Sequence, residues 1–275
     1  MTAAAAPGGE TVAGPRGRSL QDRYERAVAA EFAAQPFAPA TAPLTSGDLA
    51  GLPAPVRRYV ERSGAVGRPP PQNMRVVFDA DMYRKPGQAP MRSTAVQHTF
   101  FGRPARLFLM KARMFGLPVQ ALHIYRNETA TFRVRVASLV DMVNLAGPEI
   151  SAAETVTVLN DMCVMAPGAL ADPRLSWEDV DDRSSMVRFT NGPHKVTATL
   201  VFDDDGLLVD FVSDDRPDSS NGTFIPRRWS TPLSDYRPIA DGVRVATKGA
   251  TVYDHPQGPF AYGEFRMRSI AYDVS

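Results

Sequence analysis

Period-two alternation of apolar and polar residues is the feature that most constrains the fold of this chain. Met74, Val76, Phe78 and Ala80 occupy alternate positions, as a strand with one buried face requires. Similar runs follow at 94–101, 105–112, 119–126, 129–136, 154–159, 185–190, 194–202, 207–213, 243–248 and 262–273. Short turn signals at 126–128, 191–193 and 203–206 separate several of these runs. The sequence therefore predicts a long series of consecutive strands.

The order of these predicted strands indicates the fold class. Consecutive strands with few helices between them favour an antiparallel sheet over a doubly wound parallel one. A twisted sheet of about ten strands closes, splits or becomes covered. We therefore expect a mainly β (α+β) fold, in which a curved antiparallel sheet forms a half-barrel or barrel with N-terminal helices packed on it.

Two helices are predicted before the sheet. Leu20, Tyr24, Val28 and Phe32 recur at every fourth position of 18–34, which gives the helix one apolar stripe. Prolines near its start and a glycine after its end delimit a second helix over 52–63. The predicted organisation is a disordered tail at 1–16, a helix and proline-rich linker at 17–48, and a single β-rich half-barrel domain at 49–275. Within that domain, 137–150 is predicted to be a short helix or lid, and 163–170 a helical turn.

Composition restricts the partners and the compartment. The 31 Lys and Arg nearly balance the 30 Asp and Glu, and the net charge of +1 supplies no overall field to attract nucleic acid or an anionic membrane. A single cysteine excludes an intramolecular disulfide framework and fits a reducing interior. The N-terminal residues lack the features of a secretory signal, and no apolar run is long enough for a membrane span. We expect a soluble, cytoplasmic protein.

Common catalytic and metal-binding motifs are missing from the sequence. The four histidines lie far apart, without the spacing of a local metal site. There is no nucleophile elbow, no phosphate-binding glycine loop and no dinucleotide-binding fingerprint. We therefore expect neither a metal nor a cofactor.

Acidic and amide groups inside apolar runs are the candidate site. Glu154, Asn160 and Asp161 lie in one such run, and Asp214, Asp215 and Arg216 in another. Carboxylates beside an arginine can set one another's ionisation and transfer a proton, but a purely structural ion-pair network uses the same residues. A second group could line a pocket or simply fill a core, and it comprises His123, Trp177, Trp229 and Tyr236.

Several longer runs resemble a bacterial family of unknown function, over about 50–273. They are LPAPVRRY at 52–59, LMKARMFGLPV at 109–119, HIY at 123–125, ETVTVLNDMC at 154–163, AP at 166–167, VSDDR at 212–216, STPLSDYR at 230–237 and YGEFR at 262–266. The resemblance implies a curved sheet similar to the half-barrels of lipoprotein carriers, which hold acyl chains. It implies no particular activity.

Three hypotheses of function follow. The first is binding of a hydrophobic or amphipathic small molecule in the curve of the sheet. The second is a cytoplasmic cyclase, isomerase or hydrolase acting on a lipid-like or polyketide-like substrate, in which Glu154 or Asp161 moves a proton and Arg216 stabilises negative charge. The third is a structural module that binds a partner through an exposed apolar face. The first two predict that Glu154, Asp161 and Arg216 converge on a cavity larger than about 300 Å³. The oligomeric state stays open.

Overall fold

A computed structural model describes residues 19–36, 38, 42–137, 139–219, 223–239 and 242–275. The helices are α1 Leu20–Ala34, α2 Ala54–Arg62 and α3 Pro148–Met165, followed by a 3₁₀ turn at Pro167–Ala169. The strands are β1 Asn73–Met82, β2 Met91–Phe100, β3 Ala105–Met114, β4 Leu117–Arg126, β5 Thr129–Val136, β6 Val140–Ala146, β7 Leu175–Asp181, β8 Ser184–Asn191, β9 His194–Phe202, β10 Leu208–Ser213, β11 Trp229–Ser230, β12 Leu233–Ile239, β13 Val243–His255 and β14 Gly258–Tyr272.

All fourteen strands belong to one antiparallel sheet that curls into a half-barrel, which confirms the predicted fold class. Its order is β6-β5-β4-β3-β2-β1-β14-β13-β11-β10-β9-β8-β7, and β12 pairs with β13 outside this path. Tight turns make the meander possible: the two-residue loop Asn127-Glu128 joins β4 to β5 with both φ angles positive, as hairpin turns of this length require. The predicted tail at 1–16 lies outside the described residues.

Helix α3 lies inside the curve of the sheet, and it corrects the strand predicted at 154–159. Nearly every side chain of α3 is buried, so the alternation of Thr and Val does not mark one exposed and one buried face. The helix begins at Pro148 directly after Gly147, whose φ of 121° is accessible mainly to glycine. Proline at the first helical position is a start signal. The hydroxyl groups of Thr155 and Thr157 donate to backbone carbonyls one turn earlier.

The helix or lid predicted over 137–150 is also wrong, because half of this segment is strand β6 and only its last three residues are helical, as the start of α3. Arg135 pairs with Asp141 across the β5–β6 ladder, with Nε and Oδ1 2.7 Å apart, and Arg133 donates to Asn144. These cross-strand pairs favour the extended conformation. The predicted helical turn at 163–170 is divided between the end of α3 and the 3₁₀ turn.

Helix α1 packs on the convex face of the sheet. A capping box between Ser19 and Asp22 fixes its start, which satisfies two backbone donors. Leu20 and Tyr24 of the predicted stripe are buried against outward-facing apolar side chains of β2, β3 and β4, and Val28 and Phe32 are partly buried there. The buried Glu31 receives salt bridges from Arg103 and Arg126. The stripe predicted from the sequence is therefore the surface that holds α1 on the sheet.

Helix α2 packs against the C-terminal end of α3. Its buried side chains are Pro55, Val56, Tyr59 and Val60. The hydroxyl of Tyr59 donates to the Cys163 carbonyl oxygen at 3.0 Å. At the C-terminal end of α3, the curve of the sheet is therefore filled by two helices that pack against each other.

The concave face continues beyond α3 as a line of seven apolar side chains, here called the apolar row. The strand registers place these residues side by side on β14, β1, β2, β3, β4, β5 and β6: Met267, Phe78, Ala95, Met110, Ala121, Val134 and Val143. On β4, the member of the row is Ala121, two residues before His123, so His123 belongs to the next line of concave-facing side chains. Phe78, Ala95 and Met110 are buried, whereas the other four are partly exposed. Part of the concave face therefore reaches solvent.

Candidate functional site

A cluster of charged side chains lies where α3 meets the concave face. Glu154, Thr157 and Asp161 are three and seven residues apart, so they lie on one side of α3. The strands supply Arg106 from β3 and His123 from β4, and the segment between β10 and β11 supplies Arg216. Glu154 and Asp161 have only 1% and 4% of their side chains exposed, which requires that their charges be paired.

Arg106 joins the two carboxylates. Its Nε lies 2.8 Å from Asp161 Oδ2, and its Nη1 lies 3.3 Å from Glu154 Oε2. Gln97 completes the arrangement, because it accepts from Arg106 Nη2 at 2.9 Å and donates to Asp161 Oδ2 at 2.7 Å. Thr99 also contacts Asp161 Oδ2, at 3.3 Å. This part of the cluster is a closed hydrogen-bond network in which one guanidinium group serves two carboxyl groups.

The sequence interpretation did not single out Arg106, although a signal for it was present. Arg106 alternates with Phe108 and Met110 on one face of β3, while Leu107 and Leu109 occupy the other face. An arginine among inward-facing apolar positions needs a buried anion, since a lone buried charge is costly. That requirement would have paired it with an acid of the 154–163 run.

Arg216 approaches the second oxygen of Glu154. Its Nη2 is 3.8 Å from Glu154 Oε1, and its Nε donates to Thr157 Oγ1 at 3.1 Å. The guanidinium also donates to the hydroxyl of Tyr253 and lies over the ring of Trp229, with 4.6 Å between Cζ and the ring centroid. A cation over an indole is held by the ring's quadrupole. Arg216 is thus fixed in orientation by four neighbours.

His123 contacts the same oxygen of Glu154. Its Nδ1 lies 3.2 Å from Oε1, and its ring stacks on Phe132 with centroids 3.9 Å apart. In the described part of the chain, Nε2 of His123 makes no hydrogen bond. The side chains of His123 and Arg216 are 18% and 14% exposed. These two groups are therefore the solvent-facing members of the cluster.

The two buried carboxyl groups differ in their tendency to ionise. Burial alone would raise the pKa of Glu154, but His123, Arg106 and Arg216 outweigh it and lower the pKa to about 2. Burial raises the pKa of Asp161 to about 6, although Arg106 opposes this shift. Glu154 is therefore a permanent anion near neutral pH, whereas Asp161 is the group that can take up a proton.

Two further predicted residues adjoin this cluster. Trp229 lies under Arg216 and donates from its indole nitrogen to the Tyr262 hydroxyl at 3.1 Å. Asn160 donates to Thr231 Oγ1 at 2.7 Å on a neighbouring side of α3. Their roles in the structure are to support Arg216 and to attach α3 to the segment after β11.

Four predicted residues are not brought to the cluster. Asp214 forms an exposed ion pair with Arg228, and Asp215 accepts from the backbone and hydroxyl groups of Thr197. Tyr236 donates to the Leu208 carbonyl, while Trp177 lies on the edge strand β7. The adjacency of Asp214, Asp215 and Arg216 in sequence was misleading, since only Arg216 turns toward Glu154.

Neither an exposed thiol nor a cluster of metal ligands occurs in the described residues. Cys163 is fully buried, and burial raises the pKa of its thiol. No group of three or more potential metal-binding side chains was found among the residues that the structure describes.

Two surface pockets lie away from the cluster. One is a cavity of about 150 Å³ that includes Arg68, Pro167 and Tyr272 in its lining, smaller than the roughly 300 Å³ typical of small-molecule sites. The other is an open depression of about 600 Å³ beside Arg92 and Lys111. Neither is lined by Glu154, Asp161 or Arg216. The predicted convergence of these three residues occurs around Glu154 and Arg106, but within a packed interface and not on either pocket.

Comparison with known proteins identifies the family. The profile of a family of unknown function, DUF6544, matches residues 42–265, which is more than half of the chain. The chain belongs to this family. All members of the charged cluster of this DUF6544 protein lie within the matched region. The resemblance inferred from its sequence motifs is confirmed by this match.

Other comparisons add little about the activity of this DUF6544 protein. Among curated proteins there is no match to it. A crystal structure of a domain assigned to outer membrane lipoprotein sorting, from Vibrio parahaemolyticus, is similar with a TM-score of 0.42 and 9% sequence identity, covering 74% of this chain and 86% of that one. In the described residues, no helix is both long and apolar enough to cross a membrane.

Proposed function

We propose that this protein binds an amphipathic small molecule on the open part of its concave face. The apolar portion of the ligand lies along the apolar row, and its polar end meets His123 and Arg216. The observation that carries the proposal is the position of these two partly exposed groups. Both reach Oε1 of Glu154, at the border between a buried ionic cluster and a partly exposed apolar surface.

The apolar row has the chemistry of a surface for alkyl chains or flat rings. Every side chain in it is apolar, and it crosses seven neighbouring strands. At about 4.8 Å per strand, its length along the sheet is roughly 29 Å, of which the neighbouring, partly exposed Ala121, Val134 and Val143 cover roughly 10 Å. Met110 and Met267 give the row flexible side chains that can adapt to different ligand shapes. Removing such a ligand from water along this surface is favourable.

The polar end of the proposed site favours a group that accepts hydrogen bonds. Arg106 is occupied by Glu154, Asp161 and Gln97, whereas His123 Nε2 has no partner in the described residues. A carboxylate, phosphate or carbonyl oxygen could accept from this nitrogen when it carries a proton. Arg216 would add positive potential beside the same point. A ligand with an acidic or carbonyl head and an apolar body fits both parts.

Replacement of Ala121 by Trp tests the site directly. The probe is 11-(dansylamino)undecanoic acid, whose fluorescence reports binding to apolar surfaces. Ala121→Trp is expected to weaken probe binding at least about tenfold, because a large side chain in the apolar row excludes several methylene contacts, each worth about 0.8 kcal/mol. The matched control is Gln120→Trp, one residue away on the convex face of β4, which should bind the probe as the wild type does.

Two outcomes count against the proposal. Equal weakening by both tryptophan variants would indicate a general effect on the fold and not a site on the concave face. Unchanged binding by Ala121→Trp would put the probe elsewhere on the protein. Melting temperatures of both variants, measured beside the titrations, separate loss of folding from loss of binding.

A second candidate function, acid–base catalysis, is favoured by one contact. A carboxylate at Nδ1 holds an imidazole so that Nε2 can act as a general base. In this version His123 moves the proton, because a Glu154 with a pKa of about 2 stays ionised near neutral pH. Arg216 stabilises developing negative charge. Mass spectrometry of molecules co-purified with wild type and with His123→Gln distinguishes the two functions: different molecules favour catalysis, and the same molecule in both favours binding alone.

A further inference from the structure

Large exposed apolar side chains gather at one end of the sheet. Phe115 is 94% exposed and Leu139 is 84% exposed, and Leu117, Val140 and Met142 are each more than half exposed. We call these five residues the tip surface. They lie in or next to the β3–β4 and β5–β6 hairpins. Among the described residues, one other large apolar side chain is comparably exposed, Val180 on β7.

Direct contacts hold these hairpin ends side by side. The backbone nitrogen of Ala137, in the β5–β6 turn, donates to the Pro118 carbonyl at the start of β4 at 2.8 Å. Arg84, in the β1–β2 connection, reaches the Met114 sulfur at 3.9 Å. Three hairpin ends therefore contact one another. Single exposed apolar residues are ordinary on protein surfaces, but a contiguous group of them indicates an interaction site.

Phe115 has a backbone conformation that is unfavourable for an aromatic residue. It forms the two-residue turn of the β3–β4 hairpin with Gly116, and their φ angles are 50° and 81°. Such turns favour Asn followed by Gly, because both residues must be left-handed. A bulky aromatic residue with positive φ is sterically disfavoured. Neither the turn nor packing accounts for a phenylalanine there, so its exposed ring points to a partner outside the chain.

Basic residues flank the tip surface on the β1–β2 and β3–β4 hairpins, whereas Asp141, which lies between Val140 and Met142, is paired with Arg135. The sequence at 83–92 and 111–120 contains five cationic side chains and no Asp or Glu: Arg84, Lys85, Arg92, Lys111 and Arg113. Three of them line the open depression of about 600 Å³, together with Asp79, which is paired with Arg268. The near-neutral net charge of the whole chain therefore conceals a local positive field, and it does not exclude an anionic surface as partner.

We propose that the tip surface docks this protein peripherally on an anionic lipid bilayer. Phe115 and Leu139 enter the boundary between headgroups and acyl chains, and the surrounding arginines and lysines meet lipid phosphates. Aromatic and leucine side chains flanked by basic residues are the combination that holds proteins at this boundary. A second copy of the chain fits less well, because docking tip to tip would bring the same cations together. The inference does not depend on the proposed ligand.

Vesicle flotation tests the docking. The vesicles contain equal parts of phosphatidylcholine and phosphatidylserine, and pure phosphatidylcholine vesicles serve as the uncharged comparison. Wild type is expected to float with the anionic vesicles, and to do so less as salt is added. Phe115→Asn should lower the partition coefficient for the anionic vesicles about tenfold, the effect expected when one buried aromatic ring is lost. Because Asn before Gly suits this turn, the variant should melt no lower than wild type.

The matched control and the contrary outcomes are well defined. Val180→Asn removes an exposed apolar side chain at a different place and should leave flotation unchanged. Flotation that is insensitive to both phosphatidylserine and Phe115→Asn would overturn the proposal. The proposal would also be overturned if the wild type did not float and instead self-associated, and if Phe115→Asn abolished that self-association. The tip surface would then be an interface between copies of the chain.

Discussion

Glu154→Gln is expected to lower the free energy of unfolding by about 3–5 kcal/mol at neutral pH, the loss typical of breaking a buried ion pair by removing one partner. Glu154 is the anion shared by Arg106, Arg216 and His123. Glutamine keeps the shape of the side chain but leaves the guanidinium groups of buried Arg106 and partly exposed Arg216 poorly compensated. Urea unfolding followed by fluorescence of the two tryptophans measures the change.

The pH dependence of this loss follows from the pKa of Glu154. The folded protein holds it at about 2, below the ordinary value of 4.5. A lowered pKa means that the ionised group stabilises the fold fully above about pH 4.5, and that this contribution disappears as the pH falls toward 2. The difference in the free energy of unfolding between wild type and Glu154→Gln should therefore become smaller as the pH falls from about 4.5 toward 2. Glu149→Gln, on the exposed first turn of α3, is the control, and a loss from it as large as from Glu154→Gln would refute the assignment.

Arg106→Met is the second change with a large expected effect, again about 3–5 kcal/mol at neutral pH. Methionine fills much of the same space but leaves Asp161 and Glu154 without their shared cation. The loss should be smaller at pH 5 than at pH 8. Burial already raises the pKa of Asp161 to about 6. In the variant, Asp161 therefore takes up a proton as the pH falls, which removes the unfavourable buried charge.

A double-mutant cycle separates pairing from packing at this position. Asp161→Asn combined with Arg106→Met should cost less than the sum of the two single changes, by about 0.5–3 kcal/mol, since the residues contact each other at 2.8 Å. Arg188→Met, on an exposed position of β8, provides the arginine control and should change stability by less than about 0.5 kcal/mol. Strict additivity would mean that the Arg106–Asp161 contact contributes nothing.

The sequence predicted most strands because one face of each is buried and the other is not. In β1, Met74, Val76 and Phe78 face the concave side as the alternation indicates. The same logic failed for α3. This helix is buried on all sides, so the order of its Thr and Val residues does not distinguish a buried face from an exposed one. There the start signal at Gly147-Pro148 was a better guide than the alternation.

The candidate site was predictable in part. Glu154, Asp161 and Arg216 were recognised because charged groups in or beside apolar runs need partners, and all three belong to the cluster. The partners of Glu154 and Asp161 on the sheet, Arg106 and His123, come from strands about 30 to 55 residues earlier in the chain. Which residues face one another across the curve depends on strand register and on the path of α3, and neither can be read from local spacing.

Methyl NMR of methionine-labelled protein tests the central proposal most directly, because Met110 and Met267 lie in the apolar row while Met186 lies on β8. On addition of 11-(dansylamino)undecanoic acid, the methyl signals of Met110 and Met267 are expected to shift and that of Met186 to stay in place. Shifts confined to Met165, next to the small cavity at Pro167, or no shifts at all, would contradict binding on the concave face.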